Sequence, residues 1–205
     1  MASSGSALTG ITRFPIEVYL HATFVLFLAW IAVSHWMSGH GVTVMLSGTA
    51  FILALFGSVL LHEFGHALTA QRYGIRTRNI MLLPIGGIAQ LERMPSEPKQ
   101  ELAVALAGPA VNAVIASALF VLLNAIGEVP ALGTLALTEG SFLERVMLAN
   151  ISLMLFNLLP AFPMDGGRVL RALLKFWMAP ARATQIAASV GHLSASLLPI
   201  TSPHF

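Results

Sequence analysis

The chain has 205 residues, of which 56% are hydrophobic and only 10% are charged. Its mean hydropathy of +0.79 excludes an ordinary soluble domain and indicates a bundle of membrane helices. The formal net charge of +2 is too small to suggest a nucleic-acid partner, and the lack of cysteine excludes disulfides and thiolate ligands for a metal.

Four apolar segments predict membrane helices, because each is near or above the roughly 20 residues needed to cross hydrocarbon. They are residues 18–33, 45–70, 102–126 and 142–159. A fifth segment, 186–200, is weaker because polar residues dilute it. Between the fourth and fifth, residues 166–178 carry Arg168, Arg171 and Lys175 at spacings of three and four. This stripe predicts an amphipathic helix at the membrane surface.

Lysine and arginine are unevenly distributed among the connections. Five follow the second segment and three lie just after the fourth, whereas none follows the first and only two glutamates follow the third. By the positive-inside rule, the N-terminus and the connections 71–100 and 166–182 are predicted to be cytoplasmic. The connections 34–44 and 127–141 are then external.

The motif His-Glu-Phe-Gly-His occupies residues 62–66, inside the second apolar segment. Histidines four apart lie on one face of a helix, so His62 and His66 can bind the same zinc ion. Glu63 can then act as general base toward water activated by the metal. The alternative is a pair of packing histidines with a buried glutamate. Ionisable groups at membrane depth are costly, which favours the functional interpretation.

A catalytic zinc needs a third protein ligand. Asp165 is the only aspartate, and it follows the fourth segment, which is predicted to end on the same membrane side as the second. We therefore predict one Zn²⁺ per chain, held by His62, His66 and Asp165. The alternative for Asp165 is to be the N-cap of the basic helix that follows. His21 is interpreted as structural, because the other three residues complete a site.

Two asparagines in apolar segments are candidate substrate or oxyanion ligands. Asn112 lies early in the third segment and Asn157 lies near the end of the fourth. Either amide could donate a hydrogen bond to a substrate carbonyl. Hydrogen bonding between helices is the alternative, and the sequence leaves both open.

The apolar stretch 82–91 is too short to span a membrane and is broken by Pro84, Gly86 and Gly87. It predicts a re-entrant loop or a short edge strand, with an apolar linker as the alternative. If the zinc site hydrolyses a peptide bond, the substrate chain must be extended there, and its backbone N–H and C=O groups then need hydrogen-bond partners in hydrocarbon. We therefore predict that residues 85–89 are an edge strand to which the substrate adds by β-augmentation, with the Ile88 amide as an edge donor and Gly86 and Gly87 allowing close approach.

Taken in this order, the motifs resemble those of the site-2 protease family of intramembrane zinc metalloproteases, in its prokaryotic branch. The similarity extends from about residue 14 to residue 182 and includes Gly108-Pro109 with Asn112, and the run Pro-Met-Asp-Gly-Gly-Arg at 163–168. It implies that both motif histidines and Asp165 are ligands and that Glu63 is catalytic. It also implies single-pass membrane proteins as substrates, cut within or near their transmembrane segments with release of a cytoplasmic fragment.

The resemblance also bears on fold and domain organisation. It implies an all-α polytopic protein of a prokaryotic cell membrane, a bundle of about five to six transmembrane helices with a small re-entrant β segment. Family members usually continue into a sixth helix and often a regulatory domain. We therefore expect residues 1–205 to form a single intramembrane metalloprotease domain with a catalytic core at about 42–178 and a truncated final helix. The sequence indicates no oligomeric state.

Two other functions fit parts of the pattern. A metal transporter or sensor could use the same His-His-Asp site, but a transporter would line its path with acidic or histidine residues at several depths. Here the intramembrane carboxylates are Glu63 and Asp165, predicted to lie at one depth. An inactive binding relative would have lost Glu63 or a ligand. The sequence therefore favours a protease.

Overall fold

A computed structural model describes residues 15–37, 41–84, 86–128 and 140–197, and these residues form six helices and three strands. In chain order they are β1 (Glu17–Leu20), α1 (Ala22–Met37), α2 (Gly41–Arg72), β2 (Thr77–Leu83), β3 (Gly86–Leu91), α3 (Pro98–Ala125), α4 (Phe142–Asn157), α5 (Asp165–Leu174) and α6 (Pro180–Leu197). The protein is mostly helical, as predicted, with one small sheet.

Helices α2 and α3 are the two described helices that are long and apolar enough to cross a membrane, with 32 and 28 residues. α1 contains a shorter apolar stretch, Ala22–Ser34, and α4 has 16 residues. The predicted bundle of five to six spans therefore stays a prediction. Large apolar side chains such as Leu26, Val114 and Val121 face outward, which suits a lipid environment.

The first predicted helix begins later than expected. Residues 17–20 form β1, which pairs in parallel with β2, and α1 starts at Ala22. Hydropathy cannot distinguish a short apolar strand from the start of an apolar helix, because both bury the same residue types. The boundary is set by the pairing with β2, which is distant in sequence.

The sheet has the order β1-β2-β3, with β2 and β3 antiparallel, so β3 lies at an edge. The predicted β segment at 82–91 is therefore present, but it is only part of a three-stranded sheet. Its first residues belong to β2 and its last six to β3. The turn between them contains Ile85, which lies outside the described residues.

Helix α3 is the element that positions the site, because it packs against α2, α4 and α5. Its far end forms an apolar cluster with α4 through Leu123 and Met147. Its near end packs through Val104 against Ala70 of α2 and the following Ile75. Helix α3 thus contacts both α2, which carries the histidine motif, and α5, which begins at Asp165.

Candidate metal centre

Three predicted ligands converge in the interior. Nε2 of His62 and Nε2 of His66 lie 3.1 Å apart, and each lies 3.0 Å from Oδ2 of Asp165. All three residues are buried. Within the described part of the chain they form a group whose ligand atoms lie within 4.8 Å of one another and could hold a metal ion.

The spacing of these atoms fits zinc. Zinc bonds of about 2.0–2.1 Å at tetrahedral angles separate neighbouring ligand atoms by roughly 3.3–3.4 Å. The three atoms here are 3.0–3.1 Å apart, so a small outward movement accommodates the ion. Two imidazoles and a carboxylate are a ligand set that zinc accepts, and three protein ligands leave one tetrahedral position open.

Helix α3 contacts the Nδ1 atom of both histidine rings. Nδ1 of His66 lies 2.7 Å from the backbone oxygen of Val104, which accepts its hydrogen and directs Nε2 into the cluster. Nδ1 of His62 lies 3.2 Å from Nδ2 of Asn112. These partners set the orientation of both rings.

The sequence left two roles open for Asn112, and its contact with His62 corresponds to the hydrogen bond between helices. A histidine that binds metal through Nε2 carries its proton on Nδ1 and needs an acceptor there. Oδ1 of Asn112 is buried and has no partner among the described residues, and a half-turn of the carboxamide places it against His62. The geometry favours the hydrogen bond between helices over the oxyanion role.

Gly108 allows α3 to approach the histidines. A Cβ at this position would overlap Nε2 of His66 and would lie 2.6 Å from Nε2 of His62. Only glycine leaves room for the rings between the two helices. The Gly-Pro pair at 108–109 was a signal for this contact, whereas the role of Val104 belongs to its backbone and leaves no trace in the sequence.

Asp165 is the first residue of α5, and the N-cap position is occupied by Met164. The Asp165 side chain instead points at the histidines, with its second oxygen, Oδ1, 3.8 Å from Nη1 of Arg168. The N-cap alternative is therefore not the role that the structure shows.

Strand β3 lies directly on the candidate base. The backbone amide of Ala89 donates to Oε2 of Glu63 at 3.1 Å, and a Cβ on Gly87 would come within 2.8 Å of Glu63 Cγ. The close approach that Gly87 permits is therefore to helix α2. The sequence prediction had assigned it to a substrate backbone.

The prediction that Ile88 supplies an outward donor is wrong. The Ala89 amide points away from β2 toward Glu63, whereas the amide of Glu92 donates to Arg76 on the β2 side at 2.9 Å. Amides alternate along a strand, so Ile88 faces β2, and the free edge is formed by Gly87, Ala89 and Leu91.

A cavity of about 520 Å³ connects the ligand cluster, Glu63 and strand β3. All eight residues predicted as site residues line it: His62, Glu63, His66, Gly86, Gly87, Asn112, Asn157 and Asp165. Nδ2 of Asn157 donates to Leu153 of its own helix at 2.9 Å. His21 lies apart from the cavity and is exposed, with its Nδ1 2.7 Å from the Thr23 hydroxyl.

Apolar helices with a buried His-His-Asp cluster beside a glutamate have the arrangement of a membrane metallopeptidase. The chain belongs to peptidase family M50, whose family model matches residues 50–198. The family membership that the motifs indicated is thereby confirmed.

Individual relatives agree with this. The chain is 38% identical over 179 residues to a zinc metalloprotease of Methanocaldococcus jannaschii, covering 86% of this chain and 48% of that protein. It is 32% identical over 120 residues to the stage IV sporulation protein FB of Bacillus subtilis, covering 58% of this chain and 38% of that one. The chain thus spans about half the length of the curated relatives it matches, or less.

The solved structure of the site-2 protease from Methanocaldococcus jannaschii is also similar. The TM-score is 0.61 at 36% sequence identity, and the match covers 90% of this chain and 80% of that one. The fold is therefore that of a site-2 protease.

Proposed function

We propose that this protein is an intramembrane zinc metalloprotease. It hydrolyses peptide bonds within or near the transmembrane segments of single-pass membrane proteins and releases a cytoplasmic fragment. The observation that carries the proposal is the buried cluster of His62, His66 and Asp165 beside Glu63 on an apolar helix. Membership of peptidase family M50 supports the same reaction class.

We assign one Zn²⁺ per chain to His62, His66 and Asp165. When bound, zinc supplies a Lewis acid that acidifies water and polarises a scissile carbonyl. Glu63 is offset by about 100° round the helix from His62, so it lines the cavity without joining the ligand set. Its carboxylate takes the proton from water and returns it to the leaving amine.

Substrate is held at the free edge of β3. The outward residues Gly87, Ala89 and Leu91 line the metal cavity, so a chain added there runs past Glu63 and the cluster. The backbone groups of Gly87 and Leu91 pair with an extended segment that would otherwise leave its own groups unsatisfied in hydrocarbon. The Ala89 amide, which donates to Glu63 in the structure, exchanges that partner for a substrate carbonyl. Gly86 and Asn157 line the same cavity and are assigned to substrate, whereas Asn112 is assigned to His62.

The basic connections support a multi-pass protein in the lipid bilayer with a cytoplasmic N-terminus. The cluster then lies near the cytoplasmic side, because α2 ends at Arg72, only six residues after His66. Cleavage at that depth releases the cytoplasmic portion of the substrate.

Replacing Glu63 with Gln tests the reaction. The variant should keep its zinc and lose cleavage by at least about a thousandfold, because the amide cannot accept the proton from water. Membrane proteomes of cells that carry the wild type or the variant are compared for single-pass proteins that lose their cytoplasmic portion. Glu128→Gln, on an exposed residue beyond the end of α3, is the matched control.

Two outcomes contradict the proposal. One is a Glu63→Gln variant that cleaves as fast as the wild type. The other is zinc uptake into vesicles reconstituted with purified wild type that cleaves no membrane substrate, which supports a transporter.

A further inference from the structure

Glu101 is a buried carboxylate that the reaction does not use. It lies in the first turn of α3, is 1% exposed, and is absent from the lining of the metal cavity as described. Nε of Arg171 donates to its Oε1 at 2.6 Å, and Nζ of Lys175 donates to its Oε2 at 2.5 Å. Both oxygens are therefore bound by cations, one in helix α5 and one at its C-cap.

These basic residues were expected to face water at the membrane surface. Instead, Arg171 and Lys175 point inward and are largely buried, with side chains 17% and 12% exposed. Burying such charges is costly, and a buried ion pair contributes little stability relative to apolar residues of the same size. A buried pair can instead fix the register between the two segments that it joins, here α3 and the α5 helix with its C-cap.

That register determines the position of Asp165. Asp165 begins α5, so Arg171 lies about 9 Å along the same short helix, at 1.5 Å per residue. The Arg171 guanidinium also lies 5.8 Å from the centre of the Phe162 ring, in the segment that leads into Asp165. The chain on both sides of Asp165 is thus anchored, directly or through Arg171, to Glu101.

The same face of α3 holds the other two ligands. Glu101, Val104, Gly108 and Asn112 follow one another at spacings of three, four and four, which places them in one stripe along the helix. Val104 accepts from His66, Gly108 packs on both rings, and Asn112 contacts His62. Glu101 completes the stripe by fixing the helix of the third ligand.

We propose that Glu101 is a positioning residue for the metal centre. Through Arg171 and Lys175 it holds α5 in the register that brings the Asp165 carboxylate to the histidines. This inference rests on the metal site of the proposed function. It assigns Glu101 no contact with substrate or with the reacting atoms.

Glu101→Gln tests this in the full chain, purified in detergent. Loss of one charge removes an acceptor from Arg171 or Lys175 and frees α5 to shift, so the dissociation constant for Zn²⁺ should rise about 10–100-fold. With Co²⁺ as probe, the visible absorption of the bound ion should change in position or intensity, because Asp165 no longer approaches it in the same way. Glu97→Gln is the matched control, an exposed glutamate one turn earlier whose side chain accepts only from Gln100 among the contacts described.

Arg171→Gln removes the other partner of the same contact, and Arg171 is less buried than Glu101. This variant replaces Glu101→Gln in the test if Glu101→Gln does not fold. It should weaken zinc binding in the same direction. In the double variant Glu101→Gln/Arg171→Gln the loss of zinc affinity should be smaller than the sum of the two single losses, because both substitutions break the Glu101–Arg171 contact.

The outcomes separate this inference from the proposed function. Zinc affinity and a cobalt spectrum equal to wild type in a folded Glu101→Gln or Arg171→Gln variant overturn the positioning role, even if the melting temperature falls. A wild-type protein that binds no zinc, or binds it equally well without His62 and Asp165, overturns the metal centre itself.

Discussion

The backbone amide of Ala89 donates a hydrogen bond to Oε2 of Glu63 at 3.1 Å. This contact joins the edge strand of the sheet to the carboxylate that we assign as general base. The outward edge of β3 and the base therefore meet at one place. A substrate strand that adds to this edge takes the Ala89 N–H over from Glu63, so its backbone then lies beside the base.

Proline at position 89 tests this arrangement. Ala89→Pro removes an outward N–H and leaves the β2–β3 ladder intact, since proline is tolerated on the free side of an edge strand. We expect KM for a membrane substrate to rise at least about tenfold with zinc content unchanged, because one backbone pair to the substrate is lost. A change confined to kcat would indicate that only the Glu63 contact is affected.

Ile88→Pro is the informative comparison. Its amide faces β2, so this variant should break the ladder and lower the yield of folded protein. Normal cleavage by Ala89→Pro would contradict substrate addition at β3.

A methyl group on Gly108 should disturb the metal centre directly. Its Cβ would overlap the His66 ring and lie 2.6 Å from Nε2 of His62. Gly108→Ala should therefore weaken zinc binding by at least about tenfold, since the rings or α3 must move. Gly57→Ala on α2 is the control, because a Cβ there meets nothing within 4 Å. Equal zinc affinity in both variants would contradict the packing of α3 on the histidines.

Metal analysis tests the ligand set. Purified wild type should contain about one zinc per chain, and His62→Ala/Asp165→Ala should retain less than about a tenth of it, because one ligand alone cannot hold the ion. His21→Ala should keep its zinc, since that exposed side chain contacts Thr23 and lies outside the cluster. Undiminished zinc in the double variant would refute the assignment.

Membrane orientation can be measured with single cysteines, because the chain has none of its own. Ser96→Cys and Glu128→Cys place thiols at exposed positions before and after α3. In intact cells an impermeant thiol reagent should label the Glu128→Cys variant and leave Ser96→Cys unlabelled until the cells are opened. The reverse pattern would overturn the orientation and the inward release of the fragment.

Local rules were enough to predict the chemistry of the centre. The fourfold spacing of His62 and His66 places them on one helix face whatever the helix packs against. Asp165 could be chosen because it is the only aspartate and its membrane side follows from the distribution of lysine and arginine. Helix α5 was also predictable from the periodicity of its basic residues, to within a few positions at each end.

Contacts between distant elements could not be predicted in the same way. Periodicity marked Arg171 as one side of an amphipathic helix, but which side faces the interior depends on Glu101, 70 residues earlier. Which amides of β3 point away from β2 depends on the register of the β2–β3 pairing. A register shift of one residue would have made Ile88 the edge donor. The sequence alone determined which residues can bind zinc and move a proton. The packing of α3 against α2 and α5 decided how those residues meet. The reason is that the hydrogen-bond or ion-pair partner of a buried group lies far away in sequence and is fixed only by the tertiary fold.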